Sequence, residues 1–436
     1  MTHSRTRNVP EGFYQAAGLV PLRSVAASSP SKVTPRQMQD HTVTHYSIPA
    51  VQEFGIGVEE DGGDIASDKW LVSRPVVLIS KLNPRKSTVT RAVPDSGLTV
   101  ASSEFVPIST GNEDDDRYLA YVLASDVVAR HLDSLVTSAT RSHQRVSPGD
   151  ILSMSVPWPS RSSRRAMADF LDRETAQIDA MIEAQRDLVT ALQMRRLALV
   201  VDGVHLGSGP ECLPEGWETL PFKAAVSRRF TGEWGTEPGS DEVDVACVRV
   251  ADFDRSLRRA GASIPTVRSM GADKARTKAL RPGDLLLERS GGTARNPVGN
   301  IVLYVGPEGA LSSNFIECVR LKRGHDPQFW CYLHEAAYST GFTHQHVKQT
   351  TGIQNLDVDG FYAEHFAVPA LDEQRRIAEE LSAKTSTLDA AIAAAIDVAS
   401  LLRERREALI AAAVTGRIDP ATGVERIDPT TEKEAS

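Results

Sequence analysis

Residues 156–204 return at 366–414 with a constant offset of 210 and no gap. The offset pairs Pro159 with Pro369, Arg165 with Arg375, Ala168 with Ala378, Leu171 with Leu381, Asp179 with Asp389, Ile182 with Ile392 and Asp187 with Asp397. The run Arg195-Arg196-x-Ala198-Leu199 then meets Arg405-Arg406-x-Ala408-Leu409. A repeat this long, split by a mid-length insert, means two copies of one module and internal pseudo-twofold symmetry. Such a chain suits a target with two separate parts.

Inside each copy, large apolar residues fall at steps of three, four and seven: Leu171, Ile178, Met181, Leu188, Leu192 and Leu199, answered by Leu381, Leu388, Ala391, Val398, Leu402 and Leu409. That spacing predicts the seam of a long amphipathic helix packing at a shallow angle on another helix. Pro159 and Pro369 stand upstream as start signals, and Gly203 and Gly416 fall where the helices should stop. Each helix is then about 40 residues, or about 60 Å long. The order module, helix, module, helix lets the two helices pair antiparallel, burying both seams and placing the modules at opposite ends of a rod. Alanines at 390–395 and 411–413 fit a close approach.

The segments before the helices correspond more weakly. Ala101-Ser102-Ser103-Glu104-Phe105-Val106 matches Leu311-Ser312-Ser313-Asn314-Phe315-Ile316, and Gln144 matches Gln354, again at 210. Pro10-Glu11-Gly12 parallels Pro214-Glu215-Gly216. Short strands are expected at 76–79, 98–100, 243–248, 285–287 and 301–305. One helix is expected from Tyr118 to about His131. A second should run from Phe329 to Tyr338, capped by Asp326 with Pro327 in its first turn. The fold class is therefore α+β, with two mixed α/β domains separated by two long helices that pair as an antiparallel coiled coil.

The 436 residues are 41% hydrophobic and 24% charged, ordinary globular usage for two or three domains. No apolar run is expected to approach the roughly 18 residues that span a bilayer, and the first ten residues lack a signal-peptide core, so a cytoplasmic location is expected. Cys212, Cys247, Cys318 and Cys331 show no CxxC spacing, which points to reduced thiols and neither a zinc knuckle nor a disulfide framework. Net charge is −8, which argues against a protein that coats nucleic acid through a broad basic field but leaves room for local basic patches.

Catalytic signatures are missing. A methyltransferase needs a Gly-rich cofactor loop and a motif like Asn-Pro-Pro-Tyr, whereas the chain offers Asn83-Pro84-Arg85 and Asn296-Pro297-Val298. No GxxxxGK run supports an ATPase. His344-Gln345-His346 has no carboxylate or cysteine beside it in sequence to complete a metal site. Polar loops with basic neighbours do follow the expected strands. From them come the candidate DNA-binding residues Lys81, Arg85, Lys86, Ser102, Ser103, Arg141, Gln144, Arg289, Ser290, Arg295, Asn296, Ser312, Ser313, Lys348, Thr350 and Gln354. These are side-chain types that read base edges or grip phosphates.

At this point the sequence resembles the DNA-specificity subunit of type I restriction-modification systems. The residues that carry the resemblance are Val368-Pro369-Ala370-Leu371-Asp372-Glu373-Gln374-Arg375-Arg376-Ile377-Ala378, the run Arg403 to Ile410, the terminal Ala413-Val414-Thr415-Gly416-Arg417-Ile418-Asp419, the central Ala168 to Asp179, and Pro214-Glu215-Gly216-Trp217. One departure is visible, Ser162-Ser163-Arg164 where Asp372-Glu373-Gln374 recurs, which puts the cap of the central helix in question.

The resemblance implies a first target-recognition domain at 1–157, a central helix at 158–204, a second target-recognition domain at 211–367, a distal helix at 368–420 and a flexible tail at 421–436. It implies readout of a bipartite, asymmetric double-stranded DNA site, with the helix pair as ruler and no catalysis by this chain. No cofactor is expected on this chain itself. S-adenosylmethionine would sit on two modification (methyltransferase) subunits, and ATP and Mg²⁺ on a restriction subunit where one joins. The alternative left open is a coiled-coil scaffold or adaptor that does not read DNA.

Overall fold

The computed structural model describes residues 8–13, 16, 18–136, 144–207, 210–293, 296–350 and 353–423. The chain divides into two compact units, Met1–Ala184 with Val398–Ser436, and Gln185–Asp397. Each unit holds one globular segment and part of both long helices. The central helix runs unbroken over Arg161–Gly203 (43 residues) and the distal helix over Leu371–Val414 (44 residues).

In the first unit, Thr42–Tyr46 lies parallel to Leu98–Ser102 at the heart of a five-stranded sheet, in the order Ser31–Val33, Lys69–Leu71, Leu98–Ser102, Thr42–Tyr46, Val58–Asp61. A three-stranded sheet places Val76–Ser80 between Val89–Ala92 and Phe105–Ile108. The second unit keeps this plan. Val243–Val248 runs parallel to Leu311–Ser312, and Leu285–Glu288 lies between Ile301–Tyr304 and Ile316–Leu321. At the foot of each unit the opening strand pairs with the strand that leads into a long helix: Leu19–Pro21 with Ser155–Pro157, and Glu218–Pro221 with His365–Val368. The five expected strands are all present.

Neither globular core is complete without the helices. In the first unit Phe13, Ile79, Tyr118, Val122 and Ile151 pack with Met167, Ala168 and Leu171 from the start of the central helix and Ile410, Ala413 and Val414 from the end of the distal one. In the second, Phe222, Phe329, Trp330 and Phe361 pack with Val200 and Val204 from the end of the central helix and Ile377, Ala378 and Leu381 from the start of the distal one. The pairing is thus antiparallel within each unit. Gly203 marks a close approach, since a Cβ there would meet the Leu381 side chain at 2.9 Å.

The seam itself differs in part from the sequence expectation. Leu171, Thr175, Ile178, Ile182, Gln185, Val189, Leu192, Arg196 and Leu199 are buried or half-buried, in strict alternation of four and three. Their partners at an offset of 210 are Leu381, Thr385, Leu388, Ile392, Ala395, Ala399, Leu402, Arg406 and Leu409. Met181, Leu188 and Val398 are 44%, 45% and 41% exposed and lie off the seam. Each is one residue, about 100° of helical rotation, from a seam position, at Ile182, Val189 and Ala399. Leu171, Ile178, Leu192 and Leu199 and their partners Leu381, Leu388, Leu402 and Leu409 lie where expected, while at 181, 188, 391 and 398 the expectation fell one residue short of the seam.

Two further expectations need correction. The helix expected from Tyr118 to His131 is two helices, Glu113–Ala124 and Asp126–Ser134, parted at Ser125, whose backbone is extended (φ −67°, ψ 148°). Asn112 caps the first of them by accepting from Asp115 N. Pro327–Ser339 does start as expected, with Asp326 Oδ1 accepting from Phe329 N at 2.9 Å.

The distal helix contains an 18-residue window of mean hydropathy 1.4, so by length and composition it is apolar enough to cross a membrane, contrary to the expectation that no such run exists. Alanine raises hydropathy without adding the bulk by which apolar runs are recognised.

The altered cap of the central helix is accommodated by substitution of function. Gln374 donates to Pro369 O at 2.8 Å and accepts from Asp326 N at 2.9 Å. Arg164, its counterpart, donates to Pro159 O at 2.5 Å and grips the Asp115 carboxylate at 2.8 and 2.9 Å. Ser160 accepts from Ser163 N at 3.2 Å. The helix therefore starts as its partner does. Of the expected tail, Gly423 lies beside the Phe170 ring, and residues 424–436 lie outside the described residues.

Candidate nucleic-acid interface

One loop follows the central strand of the three-stranded arrangement in each unit, and the same three backbone hydrogen bonds fix both. In the first unit Lys81 N donates to Glu104 O (3.0 Å), Val146 N to Lys81 O (3.0 Å) and Asn83 N to Gln144 O (2.7 Å). In the second, Arg289 N donates to Phe315 O (2.9 Å), Leu356 N to Arg289 O (2.9 Å) and Gly291 N to Gln354 O (3.0 Å). A bridge of two residues joins each loop to its neighbour, Leu82 to Arg145 and Ser290 to Asn355. Asn83 (φ 49°) and Gly291 (φ 105°) both take left-handed backbone at the same step, which accounts for the residue types there.

The structure brings many of the expected residues onto these two loops. Lys81 and Arg289 are equivalent basic positions. Lys81 is half-buried, while Arg289 Nη1 donates to Thr231 Oγ1 at 2.6 Å and lies 3.7 Å from the Glu317 carboxylate. Ser102 accepts from Glu104 N at 3.3 Å and, with Ser103, forms the adjoining turn. Ser290 Oγ donates to Asn355 Oδ1 at 2.6 Å. Exposed Asn296 closes its own loop by donating from N to Thr293 Oγ1. Lys348 lies on the hairpin Val347–Thr350 with Ile353–Leu356 and pairs with Asp357 at 2.7 Å, which holds that carboxyl below its ordinary range.

Other expected residues fall elsewhere. Arg85 and Lys86 are exposed on a short helical turn, Pro84–Lys86, that packs on Asp126–Ser134; Lys86 shares a hollow with Tyr121, Arg406 and Glu407. Ser312 and Ser313 are buried and bond through their backbones, Ser312 O to Glu233 N and Ser313 N to Val248 O. Gln354 is buried and accepts from Val298 N at 3.3 Å. These three hold the framework and do not face solvent. Arg141, Arg295 and the Thr350 side chain lie outside the described residues.

Two residues were missed. Arg145 is half-exposed and donates Nε and Nη2 to the Glu104 carboxylate at 3.1 and 3.0 Å. Asn355 is exposed beside Ser290. The missed signal is the two-residue period of a strand: Ile353–Leu356 alternates exposed and buried, so Gln354 points in and Asn355 out.

Each globular segment is tied to the helices by a tyrosine on its docking helix. Tyr121 donates to Asp172 at 2.6 Å and meets Thr175 Oγ1 at 3.1 Å, and Tyr332 meets Thr385 Oγ1 at 3.3 Å. Burial raises the phenol of both above its ordinary range. Among the described residues no three His, Cys, Asp or Glu side chains gather as a metal site. His346 pairs with Glu364 at 3.0 Å and His344 stacks edge-on against Tyr338, so the two histidines have separate partners.

No protein-family model and no curated protein matches the sequence. Among solved structures, the fold is similar to that of a chain in a study of complex assembly and conformational transition of the type I R-M system, with a TM-score of 0.65 at 16% identity, covering 91% of this chain and 97% of that one. Further similar chains are the HsdS subunit from Thermoanaerobacter tengcongensis (16% identity, 92% and 96% covered, TM-score 0.43) and the type I restriction-modification S subunit from M. genitalium (11%, 91% and 96%, 0.39).

Proposed function

We propose that this chain is the DNA-specificity subunit of a type I restriction-modification complex. Each unit reads one half of a bipartite, asymmetric double-stranded site, and the helices set the distance between the halves. The observation that carries this reading is the likeness of fold along nearly the whole chain to a chain of a type I R-M system, joined to the internal duplication at 210 residues. Helices of 43 and 44 residues are about 65 Å long, enough to hold two readers more than one DNA turn of about 34–36 Å apart.

Chemistry in this reading belongs to partners. Two modification subunits bring S-adenosylmethionine for adenine methylation, and a restriction subunit brings ATP and Mg²⁺. Apolar side chains on the outer faces of the helices, Met194 and Leu401 among them, suit their attachment. The net charge of −8 is consistent with partners that supply part of the phosphate neutralisation.

Reconstitution tests the proposal. A methylating complex assembled with this chain should modify one bipartite motif. A complex that methylates indiscriminately, or equally well without the chain, contradicts it and favours the scaffold reading.

A further inference from the structure

In the segments that close the two equivalent loops, Gln144 is half-buried and Gln354 buried, while Arg145 and Asn355, one residue on, are exposed. Arg145 and Asn355 are 210 positions apart, sit on the same triple of backbone hydrogen bonds, and form the same bridge to the loop opposite. Equivalent backbone with unlike side chains is what two readers of an asymmetric target require.

Both side chains are also held in place. Glu104 takes Nε and Nη2 of Arg145, which leaves Nη1 and the remaining Nη2 hydrogen as a free, outward fork. Ser290 donates to Asn355 Oδ1, which leaves the Asn355 amide hydrogens and the second lone pair of that oxygen unused by this contact. An arginine fork matches the O6 and N7 acceptors of guanine, and an asparagine amide matches the N6 donor and N7 acceptor of adenine. Pre-set side chains lose less freedom on binding.

We propose that Arg145 and Asn355 are the equivalent base-reading positions of the two units, Arg145 contacting a guanine in one half-site and Asn355 an adenine in the other, in the major groove. This rests on the specificity reading above. Glu104 and Ser290 act as positioning residues that aim them.

The test is a genome-wide methylation map from the complete methylating complex, made with the wild-type chain and with Arg145→Lys, Arg145→Ala, Asn355→Ala and Glu104→Gln. Arg145→Lys keeps the charge and removes the fork. It should relax discrimination at one guanine of one half-site by about 10- to 100-fold and leave the other half-site intact. Asn355→Ala should do the same at one adenine of the other half-site, so in each variant the untouched half reports that the chain is folded. Glu104→Gln should weaken the same guanine position as Arg145→Ala. An unchanged motif in the Arg145 and Asn355 variants overturns the proposal, and so does a uniform loss across all positions with a shallower salt dependence, the mark of a phosphate contact. Either result leaves the specificity reading standing. A wild-type complex with no bipartite motif defeats both.

Discussion

Arg196 on the central helix donates from Nε to Asp389 on the distal helix at 2.6 Å, from a heptad seam position where a leucine would ordinarily sit. Its Nη1 bonds the carboxylate of buried Glu335, which Arg258 approaches at 3.6 Å. The symmetry mate is Arg406, whose Nε lies 2.9 Å from Asp179, with both side chains much more open to water. The two pairs share a framework position and differ in burial, so they should differ in worth. Arg196→Ala leaves Glu335 buried with its main partner gone and should cost about 3–5 kcal/mol. Arg406→Ala should cost under about 1 kcal/mol. Urea unfolding of the two variants measures the contrast, and equal losses would refute it.

The seam phase makes a second prediction. Ile182 is 6% exposed and Met181 is 44% exposed. Ile182→Ala should destabilise by about 2–5 kcal/mol through lost burial and a cavity, and Met181→Ala by no more than about 0.5 kcal/mol. The reverse ranking in thermal or urea unfolding would put Met181, and not Ile182, on the seam.

His334 supplies a pH dependence. Burial among Phe222, Trp330, Phe361 and Phe366 pushes its pKa down to about 3 from an ordinary 6.5. The unfolded chain protonates this ring below pH 6.5 and the folded chain does not. The stability it contributes is therefore complete above pH 6.5 and falls as the pH drops toward 3. At about 1.36 kcal/mol per unit, the loss by pH 4.5 is about 2–3 kcal/mol. Urea midpoints at pH 7.5 and 4.5 should converge by that amount in His334→Leu. An acid-induced drop of the same size in the variant would exclude His334 as its source.

How far the sequence reveals this molecule follows from what repeats in it. The 210-residue offset exposed both helices and their antiparallel pairing, because a duplicated amphipathic segment must bury its seam against something. It also matched Arg164 to Gln374 without showing that an arginine could make the glutamine's bond to the proline carbonyl. Part of the seam was hidden because polar Thr175 and Arg196 sit on it with partners that the fold supplies: Thr175 bonds Leu171 O and meets Tyr121, and Arg196 bonds Asp389 and Glu335.

The interface shows the same limit. Gln144 and Gln354 stood out because they recur, and what recurs here is the inward, framework-holding position. Arg145 and Asn355 do not resemble each other, so repetition could not find them. Strand register had to be seen before the outward residues could be told from the inward ones.

The central claim, two readers held at a spacing set by the helix pair, is tested most directly by changing the helices alone. Inserting seven residues at equivalent points of both helices keeps the seam phase and adds about 10 Å. A methylation map from the complex carrying this chain should then show both half-sites unchanged and the spacer between them lengthened by about three base pairs, at about 3.4 Å per pair. A map in which the original spacer persists would contradict the account.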